Sequence, residues 1–270
     1  MSLAQHRSVQ VRFDQQVENA RTYLLPFIGE VMPLQPGMEV LEIGCGEGGV
    51  LRAFSDQGAR VLGVDLSTSR IATARELMAD EIARGQADFR VKNVYDTDFA
   101  AQYAAAFDLI ILKDTIEHIP GQERFIPYLR TFLRPGGKIF FGFPPWRMPF
   151  GGHQQICENK RLSKLPWIHL LPRPLYQGLL RMGGESDRVV RDLLEIKDTG
   201  ISLQRFERIV RQAGLHTDRR ILFLINPIYS YKFGWKPREQ FRWLAAIPHL
   251  RDFLTTAGWY IVSAAGQRHA

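Results

Sequence analysis

The stretch Val40-Leu41-Glu42-Ile43-Gly44-Cys45-Gly46-Glu47-Gly48-Gly49 places an acidic side chain in an apolar run that leads directly into a dense glycine turn. Glycine accepts positive φ and, lacking a Cβ, lets the backbone come close to a ligand. Two patterns overlap here: Gly44-x-Gly46-x-x-Gly49 meets the spacing of dinucleotide-binding turns, and Gly44-x-Gly46-x-Gly48 is denser. An ordinary tight turn would account for either. Asp65 narrows the choice, because it stands 21 residues after Gly44 at the end of a second apolar run, where a carboxylate can accept hydrogen bonds from two ribose hydroxyls. Nicotinamide and adenosyl cofactors both carry such a ribose. Beside Ser67, Asp65 could instead cap a helix.

Further along, Lys113 and Asp114 close another apolar run, His118 follows, and His153 comes after Gly151-Gly152 with Gln154 and Gln155 behind it. An imidazole is suited to removing a proton near neutral pH, so His153 is the candidate catalytic base, with a backbone-bonded lid histidine as the plainer alternative. Phe143, Trp146 and Phe150, together with Gln154, could form an aromatic acceptor wall with one polar group. Cys45 and Cys157 show no metal-ligand spacing, which points away from a disulfide framework or a zinc cluster. No metal is expected.

The elements that must position these groups alternate. Apolar runs at 39–43, 61–64, 89–94, 109–112 and 138–143 read as strands, separated by helical spacing at 51–57, 67–84, 115–119 and 122–133. Strands alternating with helices in this way predict a mostly parallel α/β sheet covered on both faces. Residues 1–37 read as an N-terminal helical cap that Pro26 should kink, and 38–143 as the core. Residues 144–200 interrupt the rhythm and read as a helical insertion or lid, with Trp167, Leu170, Leu171, Leu175 and Tyr176 expected inside it. Residues 201–270 would complete the sheet with strands near 220–224 and 260–263.

Four ordered motifs, VLEIGCGEG, VLGVDLS, FDLIILKDTIEHI and FLRPGGKIFF, resemble those of class I S-adenosylmethionine-dependent methyltransferases, in particular the small-molecule branch similar to ubiquinone-biosynthesis enzymes. The resemblance covers about residues 38–143 and returns weakly at 202–224. It implies a Rossmann-like fold and S-adenosyl-L-methionine as cofactor, with a methyl group passed to a small or lipid-like acceptor, O- or C-methylation being favoured. On these residues it places Glu42, Gly44, Cys45, Gly46 and Gly48 around the methionine end of the cofactor, Asp65 on the ribose, Leu66, Asn93 and Val94 by the adenine, and Lys113 near the sulfonium. Asn93 stands where the family usually has Asp, so an amide replaces a charge.

The composition is that of a globular protein, 45% apolar and 23% charged, with a formal net charge of +7. Between Lys138 and Arg181 there are seven basic residues and one acidic residue, Glu158. That excess leaves four alternatives: a nucleic-acid methyltransferase, peripheral membrane contact through Trp167–Leu171, a phosphorylated small substrate, and a solvated basic face. Binding of the S-adenosyl ligand without catalysis is a fifth. Against nucleic acid, Phe143-Pro144-Pro145-Trp146 has Phe where amino-methylating enzymes of that kind carry a polar residue. The first residues are polar and no run is long enough to span a bilayer, so a cytoplasmic location is expected, with the oligomeric state open.

Overall fold

The computed structural model describes residues 9–264, so the outer ends of the 1–37 and 201–270 segments, including the polar residues 1–8, lie outside it. An eight-stranded sheet runs through the chain: β1 Glu39–Ile43, β2 Arg60–Asp65, β3 Ala87–Val91, β4 Phe107–Lys113, β5 Leu133–Phe143, β6 Leu215–Ile225, β7 Arg238–Glu239 and β8 Ala257–Ala264. The spatial order is β3-β2-β1-β4-β5-β8-β6-β7. The first five strands pair in parallel, and β8 inserts antiparallel between β5 and β6. Chain order reverses between β1 and β4, which is where an open α/β sheet leaves a crevice beyond its carboxyl ends.

Successive residues of each buried strand feed opposite cores, as a period of two requires. Val40, Leu109, Ile111 and Phe140 belong to one core, and Leu41, Ile110, Ile139 and Phe141 to the other. The helices are α1 Val9–Asn19, α2 Leu25–Gly29, α3 Gly49–Ser55, α4 Thr68–Leu77, α5 Ala79–Ala83, α6 Thr97–Gln102, α7 Gln122–Tyr128, α8 Arg173–Met182, α9 Asp187–Thr199, α10 Leu203–Gln212, α11 Tyr229–Phe233, α12 Arg242–Ala245 and α13 Leu250–Phe253. Helix α1 lies across α3: a Cβ at Gly49 would stand 2.7 Å from Gln16 Cβ and 2.8 Å from the Phe13 carbonyl, so the small residue permits this contact.

The α-helical run is interrupted next to Pro26, as expected: α1 gives way to a wide π turn at Ala20–Leu24, and Pro26 falls in the first turn of α2. Two other expectations are corrected. The insertion at 144–200 is helical and has its own core of Tyr176, Leu180, Val190, Leu193 and neighbours. Yet Trp167, Leu171 and Leu175 are exposed and only Tyr176 of the expected group is fully buried: Trp167 and Leu171 flank the short turn Ile168–Leu170, and Leu175 lies on the first turn of α8. Finally, the 201–270 segment is more than a completion of the sheet: between β6 and β8 it carries a second excursion, with α11 to α13 and the edge strand β7. No helix among the described residues is long and apolar enough to cross a membrane.

Candidate active site

Strand β1 ends at Ile43 and the turn follows with Gly44 at φ +75°, Gly46 at +54° and Gly48 at +84°. At Gly46 the left-handed backbone favours glycine, and a Cβ there would meet nothing within 4 Å and would project into open space. The carboxylate of Asp65, at the tip of β2, pins this turn by accepting from the Gly46 N–H (3.1 Å) and also from the Ser67 N–H (2.8 Å). Ser67 itself caps α4 through its Oγ, so Asp65 is not the cap.

Two cavities of about 640 and 490 Å³ flank the turn and share Gly44, Arg70 and Asp114 in their walls. They are two lobes of one crevice. The larger holds Glu42, Cys45, Gly46 and Lys113, with Arg12 and Gln16 contributed by α1; the smaller holds Asp65, Leu66, Asn93, Val94 and Tyr95. Leu66 is 72% exposed, an apolar side chain presented to the smaller lobe. The Asn93 side chain is turned to local work, its Oδ1 accepting from the Tyr95 N–H at 3.0 Å. Cys45 contributes backbone only, since its thiol is buried against Gly63 and burial pushes its pKa well up.

The electrostatics of the larger lobe are unusual. Glu42 is 3% exposed and its Oε2 has no hydrogen-bond partner, and burial pushes its carboxyl well above the usual range while Lys113 pulls the other way. Lys113 pairs with Asp114 at 2.8 Å. Asp114 adopts φ +53°, a left-handed conformation that costs a non-glycine residue of order 1 kcal/mol and turns the carboxylate across the mouth of the crevice. Burial raises the Asp114 carboxyl, and Lys113 more than offsets this, so that it lies below its ordinary value. From the second excursion, Tyr229 and Lys232 of α11 come within the field of Asp114, which partly offsets the lowering of Lys232 by burial.

Beyond Asp114 the short turn Ile116–His118 brings Glu117 and His118 to the same side as His153. The rings of His118 and His153 meet edge-on with centroids 4.9 Å apart, and His118 Nε2 is 3.9 Å from Glu117 Oε1. His153 also has positive φ, +55°. Burial, together with the neighbouring His118, pushes its imidazole down to about 4, so it stays neutral. Glu117 is 2% exposed with neither carboxylate oxygen partnered, and burial followed by the charge of Asp114 pushes it well up. Glu117, His118 and His153 each offer a ligand atom, all within 4.8 Å of one another, a grouping that cysteine spacing does not address.

The expected acceptor wall comes apart. Phe143 is fully buried, tilted against Phe206 at 5.0 Å and stacked on Tyr260 at 6.0 Å, and lines neither lobe. Its place in β5 puts it in the sheet core. Gln154 is also fully buried, its amide donating to the carbonyls of Pro149 and Leu165, so it ties the insertion together. Trp146 packs edge-on to His169 at 4.6 Å, under Lys197, and Phe150 is half-buried, its carbonyl accepting from the His153 N–H. Neither lines a lobe. Glu117, Tyr95, Tyr229 and Lys232 escaped the sequence reading; only Glu117, next to His118, carried a local signal.

The sheet order, the glycine turn pinned by Asp65 and the two-lobed crevice define a class I, Rossmann-like methyltransferase fold. The sequence profile of a methyltransferase domain family matches residues 14–173, and the chain belongs to that family. Curated relatives include the ubiquinone biosynthesis O-methyltransferases of Idiomarina loihiensis, 37% identical over 105 residues, and of Xanthomonas axonopodis pv. citri, 35% over 109 residues. These matches cover 39% and 40% of this chain and 42% and 44% of the relatives, so the chain matches less than half the length of either. Among solved structures, the geranyl diphosphate C-methyltransferase of Streptomyces coelicolor A3(2) superposes with a TM-score of 0.57 at 16% identity, over 93% of this chain and 80% of that one, a likeness of fold.

Proposed function

We propose that the protein transfers a methyl group from S-adenosyl-L-methionine to a small or lipid-like acceptor, at oxygen or carbon. The observation that carries this reading is the buried, unpartnered Glu42 oxygen in the lobe next to Gly46. An ammonium group brings N–H donors and a positive charge, which that oxygen lacks. The diphosphate of a nicotinamide dinucleotide would instead bring negative charge toward that buried, unpartnered carboxylate. Asp65 retains acceptor capacity for ribose hydroxyls after its two backbone bonds, and the apolar walls of Leu66, Val94 and Tyr95 suit a flat aromatic base. The residues present fit the cofactor.

When bound, S-adenosylmethionine supplies an electrophilic methyl group on a positively charged sulfur. The chain's part is alignment and exclusion of water. Glu42 and the turn hold one end, Asp65 the other, and Asp114, held across the mouth by Lys113, sets the border with the acceptor. His153, Tyr229 and Lys232 converge on that border from two separate excursions of the chain, which supports an acceptor entering between them. The relatives that act on ubiquinone precursors support a phenolic or lipid-like acceptor over nucleic acid. A cytoplasmic location is part of the same proposal.

Titration calorimetry with S-adenosylhomocysteine and with NADH tests the reading. Micromolar binding of the first with none of the second is expected; the reverse overturns it. A screen of phenols, polyprenyl phenols and oligonucleotides, read by S-adenosylhomocysteine release, then identifies the acceptor class.

A further inference from the structure

The second excursion presents aromatic rings that neither the core nor the walls of the crevice use. On α11 and the turn after it, Tyr229, Phe233 and Trp235 form one cluster: the rings of Phe233 and Trp235 stand 5.3 Å apart, and Tyr229 meets them edge-on at 5.2 and 6.2 Å. Gly234, at φ +72°, turns the chain between the last two, and the Trp235 N–H donates to the Tyr229 carbonyl at 3.4 Å. Yet Phe233 is 45% and Trp235 55% exposed. Contiguous rings left in water mark a surface that binds something apolar. We propose that Tyr229, Phe233 and Trp235 form the track that receives an apolar tail on the methyl acceptor, and so select acceptors that carry one.

The two ends of the cluster decide its occupant. At the inner end, burial and then the charge of Asp114 raise the Tyr229 phenol, which puts this ring at the border where Asp114 lines both lobes. At the outer end, Trp235 is one wall of a cavity of about 500 Å³ that it shares with Ile225, Lys236, Pro237 and Arg238. The rings therefore connect the mouth of the crevice to a second hollow. A tail attached to a group held at Asp114 has its path over them, whereas a protein partner docked on the outer rings would need no connection to the crevice. The long stems of Lys236 and Arg238 are apolar and can flank such a tail while their charges stay in water.

Helix α11 is tethered close to the cofactor side. The Tyr231 hydroxyl donates to Thr22 Oγ1 at 3.3 Å, in the π turn that continues α1, and the Ser230 hydroxyl donates to the Pro227 carbonyl at 2.7 Å. Helix α1 also supplies Arg12 and Gln16 to the larger lobe, so one helical arm positions both the crevice wall and the track. The track lies outside residues 14–173, which makes tail selection a property of this chain's own excursion and not of the shared core. The proposal rests on the methyl-transfer reading for the group that sits at the inner end; affinity of the rings for an apolar chain does not.

The test titrates the full chain, loaded with S-adenosylhomocysteine, with 4-butylphenol and 4-octylphenol below their solubility limits, read by calorimetry. A fully buried methylene gains roughly fourfold in affinity and a half-covered one about twofold, so the longer tail should bind roughly 15-fold more tightly. Phe233→Ala with Trp235→Ala should cut that ratio to about fourfold or less while leaving S-adenosylhomocysteine affinity in place, which shows that the variant folds. Phe241→Ala with Trp243→Ala removes another pair of exposed rings, stacked at 6.3 Å on the same excursion, and should keep the wild-type ratio. Three results overturn the proposal: no preference for the longer tail in the wild type, equal ratios in the wild type and the Phe233/Trp235 variant, or the same loss in both variants, which marks unspecific adhesion. Equal ratios together with a larger mass for the wild type than for the Phe233/Trp235 variant in light scattering would give the rings to a second copy of the chain instead. Tail selection by a chain that does not bind S-adenosylhomocysteine would leave the track standing and sink the methyl-transfer reading.

Discussion

Asp65→Ala separates two tasks that the same carboxylate performs. In the free protein its oxygens accept from Gly46 N–H at 3.1 Å and Ser67 N–H at 2.8 Å. Because Asp65 is only half-buried, water can replace part of what is lost. The cost to stability should therefore be about 1–3 kcal/mol, a fall of a few degrees in melting temperature. In the complex the same oxygens would take ribose hydroxyls. A hydrogen bond to a charged acceptor contributes about 1.5–3 kcal/mol, so the dissociation constant for S-adenosylhomocysteine should rise roughly 10- to 150-fold. Asp65→Asn keeps one oxygen that can hold a backbone N–H, so it should recover much of the melting temperature and little of the affinity. Calorimetry and thermal denaturation on all three proteins provide the readout. An unchanged dissociation constant in folded Asp65→Ala would refute the ribose assignment and leave Asp65 as a brace for the turn.

Two further outcomes are expected. Phe143→Ala should cost about 3–5 kcal/mol in chemical denaturation, as for other large-to-small core changes, with Phe143→Leu much milder; a loss of acceptor binding at unchanged stability would return Phe143 to the acceptor wall. Burial pushes the Asp252 carboxyl up to about 6. An acid raised in the folded state contributes stability that is fully present below its unfolded value near 4 and is lost as pH rises through about 6. The shift corresponds to roughly 3 kcal/mol, and Asp252→Asn should flatten that part of the stability profile measured by urea denaturation between pH 4 and 7.5.

The features legible in the sequence are those whose physics is local. The glycine turn and Asp65 announce themselves because a strand, a turn and the next strand end lie close along the chain, and the alternation of apolar runs fixes the parallel half of the sheet. The aromatic residues after β5 mislead for an equally physical reason. Phe143 and Trp146 are just the residue types that line pockets, but which side of the strand they leave is set by pleat and by the packing of α10 and α9. Trp167, Leu171 and Leu175 look like core by composition, yet the first two flank a short turn and Leu175 is exposed on α8. The acceptor border is the least legible part. Glu117, His153 and Lys232 come from the core and from two excursions, and no spacing rule links them before the chain is folded.

The antiparallel strand β8 has a consequence for how this protein is made. It pairs with both β5 and β6, Lys138 opposite Ser263 and Leu215 opposite Ala264, and Trp259 to Val262 are almost fully buried. During synthesis β5 and β6 emerge well before the strand that lies between them, so each presents unpaired backbone and large aromatic side chains until the second excursion has passed. Pairing over such a sequence distance is slow, and exposed strand edges recruit other chains. The sheet is therefore filled at its middle last, and the nascent protein depends on being shielded, or on being dilute, for the whole interval between its fifth strand and its eighth.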